Sequence, residues 1–183
     1  EHVTARQLRV GATRVAAELE QRPGHARATL SAEGPAVTLD FVQAVPPGAR
    51  DVRATLDGTP AKLAPASGLH DAQAHITVRL SGRPQRVEVS WTGGLEVAPP
   101  HEALVPGQTS HGLRVLDFRA TRGGWTLVVE GSAGRNYEVT VVGAAVRHAQ
   151  GAGSVRHDGA RTVLQVAFPP GGGRVTRTIG LTP

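Results

Sequence analysis

Short runs in which apolar and polar side chains alternate recur at intervals of about ten residues along the whole chain, and no stretch shows a helical period. Val52-Arg53-Ala54-Thr55-Leu56, His75-Ile76-Thr77-Val78-Arg79-Leu80 and Arg86-Val87-Glu88-Val89-Ser90-Trp91 are the clearest of them. A period of two puts every second side chain on one side of an extended strand, so each run has one face to bury and one to wet. Such a strand needs neighbours for its backbone and a second layer for its apolar face. The expected class is all-β: antiparallel β-sandwich, arranged as two abutting domains.

The strands read from the N-terminus are Val3–Val10, Arg14–Glu20, Ala26–Ala32, Val37–Phe41, Val52–Leu56, Ala74–Leu80, Arg86–Trp91 and Leu95–Val97. The second half adds Leu113–Ala120, Trp125–Glu130, Asn136–Val142, Ser154–His157, Arg161–Phe168 and Val175–Leu181. Glycine and proline fall between the runs, where turns need them. Asp57-Gly58 and Asp158-Gly159 are the dipeptides preferred in tight hairpin turns, where positive φ is required. Lys62 to Ala72 and Gly143 to Gly153 read as irregular. Two strands break the pattern. Val3, Ala5, Leu8 and Val10 keep no single alternation, and the opening of Leu113–Ala120 is apolar at consecutive positions. Both read as strands with apolar side chains on two faces, covered from both sides.

Pro99-Pro100, Pro106-Gly107 and the polar residues up to Gly112 form the longest stretch without strand character. The domain boundary is expected there, with one sandwich over residues 1–105 and a smaller one over 106–183. With 183 residues the chain can bury a substantial core, built mainly of Val, Leu and Ala because aromatic residues make up only 3%. It contains no cysteine, so a disulfide framework and a thiolate metal site are both excluded. No apolar run approaches the roughly 18 residues of a membrane-spanning helix. The chain also lacks methionine, which reads as a piece cut from a longer protein; its compartment leans to secreted or periplasmic.

The net charge of +5 raises a nucleic-acid reading, but the arginines are scattered over different strands with carboxylates nearby. A nucleic-acid groove needs clustered cations with interleaved aromatic side chains, so no nucleic-acid partner is expected.

Several groups have the residue types of a site. His70, Asp71 and His75 are the best metal-like cluster, yet metal sites need three or four converging donors and these read as exposed loop residues. Ser110-His111 are adjacent, and neighbouring side chains point differently, which does not build a nucleophile–base pair. Asp40, Asp117 and Glu130 are available as paired carboxylates for glycoside hydrolysis, though each reads as a surface or turn residue. Gly151-Ala152-Gly153 lacks the third glycine and the helix of a dinucleotide fingerprint. Trp91, Trp125 and Tyr137 continue apolar faces and read as core rather than as a platform for sugar rings. No catalytic, cofactor or metal residue is expected.

Four segments carry a family resemblance: Leu8-Arg9-Val10-Gly11, Val37-Thr38-Leu39-Asp40-Phe41 leading to Val45-Pro46-Pro47-Gly48-Ala49, Leu56-Asp57-Gly58, and Gly94-Leu95-Glu96-Val97 before the double proline. In this order they resemble the C-terminal β-domain that follows the (α/α)6 barrel in bacterial six-hairpin glycosidases of the debranching-enzyme, glucoamylase and trehalase-like group. The resemblance is clearest from about Val3 to Pro100, and Gly112–Asp117 and Gly131–Tyr137 look like the more variable tail. It implies a non-catalytic module of a glycoside hydrolase, because that family's catalytic carboxylates lie on barrel loops and no barrel is present here. The implied partner is the catalytic barrel of the parent chain, with carbohydrate as a further candidate ligand. The alternatives are a carbohydrate-binding module and a structural or adhesive Ig-like module. An apolar opening strand stripped of its neighbour implies self-association of the isolated piece.

Overall fold

The computed structural model describes residues 2–67, 72–103, 107, 109–159 and 161–183. These residues form an all-β protein without helix, in two compact units. The first comprises Glu1–Val45 and Ala49–Gly93; the second comprises Pro46–Gly48 and Gly94–Pro183.

The first unit contains β1 (His2–Val10), β2 (Thr13–Arg22), β3 (His25–Glu33), β4 (Val37–Val45), β5 (Ala49–Leu56), β6 (Thr59–Pro60), β7 (Ala64–Ser67), β8 (Ala72–Leu80) and β9 (Gln85–Gly93). A six-stranded antiparallel sheet runs β1-β2-β3-β9-β5-β6, and a three-stranded one runs β4-β8-β7. The register lines Val3, Leu19, Ala28, Val87 and Leu56 across the larger sheet as one row. Burial is complete in the middle of that row, at Ala28 and Val87. Facing it, β8 turns Ala74, Ile76, Val78 and Leu80 inward and Thr77 and Arg79 outward. Truncating Ile76 or Leu80 to alanine costs roughly 2–5 kcal/mol.

The second unit contains β10 (Leu95–Ala98), β11 (Arg114–Thr121), β12 (Gly124–Ser132), β13 (Asn136–Gly143), β14 (His148–Gln150), β15 (Ser154–Asp158), β16 (Arg161–Ala167) and β17 (Arg174–Thr182). Its two four-stranded sheets run β10-β13-β16-β15 and β11-β12-β17-β14. Leu127, Val129, Ile179 and Leu181 from one sheet and Val139, Val141, Leu164 and Val166 from the other form the core.

The division falls at Gly93/Gly94, whereas the sequence places it after residue 105. The reason is long-range pairing. Leu95 is fully buried in the second core, and β10 pairs with β13 from Leu95↔Gly143 to Ala98↔Thr140. Gly93 and Gly94, with φ of 66° and 80°, turn the chain between the units. The proline-rich stretch beyond β10 is therefore internal to the second unit. Two segments read as irregular carry short strands: Ala64–Ser67 pairs with β8, and His148–Gln150 pairs with β17.

The two strands that break alternation are corrected by one device. In β1 the register slips between Ala5 and Leu8, and Gln7 takes a left-handed φ of 59°. That β-bulge inserts one extra residue, so Val3, Ala5, Leu8 and Val10 all lie opposite core-facing positions of β2: Leu19, Ala17, Val15 and Thr13. In β11 the slip falls between Val115 and Asp117. Val115 and Phe118 then oppose Val129 and Leu127 on the core side, while Leu116 is left 44% exposed. Each strand has one apolar face; the broken pattern marks a bulge.

Candidate functional site

A cleft with both polar and apolar walls lies beside the outer face of the smaller sheet in the first unit. β4 and β8 pair with Asp40 opposite Thr77 and Val42 opposite His75. Asp40 and His75 are thus diagonal neighbours on one face, a separation that long polar side chains span. The His75 Nδ1 and Asp40 Oδ2 are 2.7 Å apart. An ionised carboxylate only accepts, so Nδ1 carries the proton and donates. The ring's other nitrogen, Nε2, lies 3.4 Å from the Gln73 side-chain oxygen, an acceptor that it can bond only when Nε2 also carries a proton.

This pair borders a cleft of about 760 Å³ that also takes in Thr59, Pro60, Lys62 and Thr77. Leu56 and Ala64 supply apolar wall. The chain builds it where it leaves β6, at the edge of one sheet, and crosses to β7, at the edge of the other. Lys62, the single lysine of the chain, stands on that crossing.

The other sequence candidates resolve as structural groups. His70 and Asp71 lie outside the described residues, and among the described residues no cluster of three or more metal-ligating side chains occurs. Ser110 does not meet an imidazole: its hydroxyl donates to Glu102 at 2.7 Å. The same carboxylate accepts the backbone N–H groups of Gly112 at 2.7 Å and His111 at 3.2 Å. The Ser110 hydroxyl, more than those N–H groups, holds the Glu102 pKa below its ordinary value, against the opposing effect of desolvation. Glu130 receives Arg174 Nε at 2.5 Å and has Arg114 at 3.6 Å, and Asp117 lies 3.6 Å from Arg119. The register sets Asp117 and Glu130 on the same outward face of β11 and β12, each beside its own arginine. Asp40 belongs to the other unit.

Trp91 is 5% exposed and joins the first core. Trp125 is half-buried against the second core and donates its indole N–H to the Pro47 carbonyl. The Tyr137 hydroxyl donates to the His111 carbonyl at 2.6 Å and accepts the Ser132 N–H at 3.0 Å; its ring meets Phe168 edge-on. All three aromatic side chains pack as the sequence pattern implies. On the outer face of the larger sheet, Arg27 lies between Glu20 and Glu88, and Arg86 also reaches Glu88.

Comparison with models of known protein families and with curated proteins gave no match for this chain. The site stands on its own chemistry.

Sequence reasoning missed Glu102 and Lys62. Glu102 gives no local signal, because its donors lie eight to ten residues away in a stretch without period. The Asp40–His75 pair joins residues 35 apart through the β4–β8 register, which neither segment shows alone.

Proposed function

We propose that this chain is a non-catalytic β-sandwich accessory module of a carbohydrate-active enzyme, and that it braces a neighbouring catalytic domain of its parent protein. The observation that carries the reading is the state of β1. Val3, Leu8 and Val10 are 57%, 49% and 43% exposed, although the bulge aligns them with the core-facing side of β2. The cause is a mismatch in width. β8 packs across β3 and β5, and the three-stranded layer does not extend over the outermost strand of a six-stranded sheet. An inner sheet face left bare over a whole strand is a place for another layer.

The strand's hydrogen-bonding edge is poorly suited to that role. The bulge at Gln7 bends it, and Arg6 and Arg9 flank it, two devices that discourage edge-to-edge pairing. The face, rather than the edge, is the surface offered. The (α/α)6 barrel implied by the family resemblance is the neighbour proposed to cover it. Asp40, Glu88, Glu102 and Glu130 are engaged by histidine, arginine, serine or backbone donors, which is consistent with a module that leaves chemistry to its parent.

The test compares the parent protein with this piece. In the parent, amides of β1 should exchange more slowly than in the isolated chain. Leu8→Lys should lower the parent's melting temperature and leave that of the piece nearly unchanged. A parent sequence without a helical barrel, or a parent indifferent to Leu8→Lys, would refute the proposal. So would turnover of α-glucosides by the isolated chain that a single carboxylate substitution abolishes.

A further inference from the structure

We propose that the Asp40–His75 cleft of the first unit is a binding site for a neutral polyhydroxylated ligand, a short saccharide. The cleft shares no residue with the bracing surface formed by Val3, Leu8 and Val10. Its volume of about 760 Å³ falls within the range of small-molecule sites and gives room for more than one sugar ring.

The donor and acceptor set decides the ligand class. One Asp40 oxygen is taken by His75, and the carboxylate is 56% exposed, so its other oxygen can accept from a ligand. Lys62 only donates, while Thr59 and Thr77 both donate and accept. A sugar hydroxyl also does both, so a vicinal diol can give one proton to Asp40 and accept from a threonine or Lys62. An anionic ligand would meet the Asp40 carboxylate, and a cationic one would meet Lys62. A neutral ligand avoids both conflicts.

Pro60, Leu56 and Ala64 provide apolar surface for the C–H face of a ring. None of the lining residues is Phe, Tyr or Trp, so the broad stacking platform that gives tight sugar sites their affinity is missing. Weak binding, about millimolar, is expected. His75 is here a positioning residue. By holding the Asp40 carboxylate at 2.7 Å it fixes which oxygen faces the cleft.

The experiment is a titration of the folded 183-residue chain, followed by backbone amide and histidine ring resonances. The probes are neutral gluco-, manno- and xylo-oligosaccharides, with a uronate oligomer and a cationic amino-sugar oligomer as controls. The expected result is a set of shifts confined to Thr59–Lys62, Thr77 and the His75 ring, produced by a neutral saccharide. Asp40→Asn should weaken that binding about tenfold and Lys62→Ala several-fold. Lys62 is exposed on a crossing segment, so Lys62→Ala remains informative if Asp40→Asn disturbs the fold. His75→Gln, which can still donate to Asp40, should retain more affinity than His75→Ala. No perturbation by any neutral saccharide at tens of millimolar overturns the proposal. So do shifts caused only by the charged controls, and shifts that persist unchanged in both Asp40→Asn and Lys62→Ala. A negative titration beside a parent destabilised by Leu8→Lys would remove the sugar site and leave the bracing function standing.

Discussion

The indole N–H of Trp125 donates to the carbonyl of Pro47 at 2.7 Å, joining residues 78 apart in sequence. Gly48 lies directly beneath the ring: a Cβ placed there would stand 2.9 Å from the indole nitrogen, and its φ is 83°. Pro46–Gly48, from the first half of the chain, thereby count with the second unit. The Pro47 carbonyl also accepts the Leu95 N–H at 3.3 Å, so one backbone oxygen is tied to two strands of that unit.

Two substitutions separate the parts of this contact. Trp125→Phe removes the donor and keeps a ring, and should cost about 1–2 kcal/mol. Gly48→Ala adds a steric clash to an unfavourable left-handed backbone, and should cost more, roughly 2–4 kcal/mol. Urea unfolding monitored by circular dichroism measures both. Equal small losses would mean that the ring does not rest on Gly48.

The bulge in β1 gives a second prediction. Gln7→Gly relieves a left-handed φ at a non-glycine residue and should be neutral or stabilising, by up to about 1 kcal/mol. Deleting Gln7 should instead turn Val3 and Ala5 to the opposite face, because a one-residue shift inverts every side chain. Cross-strand contacts between residue 3 and Leu19, seen by nuclear Overhauser effects, report the change. Their persistence in the deletion variant would show that the bulge does not set the face.

Glu102 makes stability depend on pH in a definite direction. Its folded pKa is lowered from about 4.5, first by the Ser110 hydroxyl and then by the His111 and Gly112 N–H groups. A lowered carboxylate pKa means that the folded form binds the proton less readily than the unfolded one. Its stabilisation is therefore fully present above the unfolded pKa and is lost as pH falls through the folded value. The stability gap between the native chain and Glu102→Gln should be constant near neutrality and close below pH about 4.5. Denaturant midpoints for both across that range give the answer, and a gap that widens in acid would contradict the geometry.

The uncovered stripe supplies a contrast between neighbours. Leu8 and Val15 lie opposite each other on the same face of the β1–β2 pair, yet Leu8 is 49% exposed and Val15 4%. Leu8→Lys should change the stability of the isolated chain by less than about 0.5 kcal/mol and reduce its binding of an apolar dye. Val15→Lys should cost several times more, because it buries a charge. Comparable losses from the two would show that β1 is covered after all.

Ala64–Ser67 and His148–Gln150 are too short to show a period in the sequence. The longer strands were legible there because the period of two is local: it depends only on which residues alternate within about eight positions. The turn at Asp57-Gly58 was legible for the same reason, and the two residues take φ of 51° and 80° as a tight hairpin requires. Trp91 and Tyr137 were placed correctly because their faces follow from their own strands.

What the local pattern could not carry is everything that depends on which strands become neighbours. The apolar residues of β1 share a face only because the β2 register admits an extra residue at Gln7. β10 belongs to the second unit only because β13 takes it as a partner. Asp40 reaches His75 only because β4 and β8 are adjacent in one particular register. The sequence by itself determined the alternating strands and the all-β class, since alternation is written residue by residue. The tertiary structure alone decided the unit boundary, the bare face of β1 and the polar cleft. Those rest on pairings between distant residues, where a shift of a single position exchanges the buried face for the wet one.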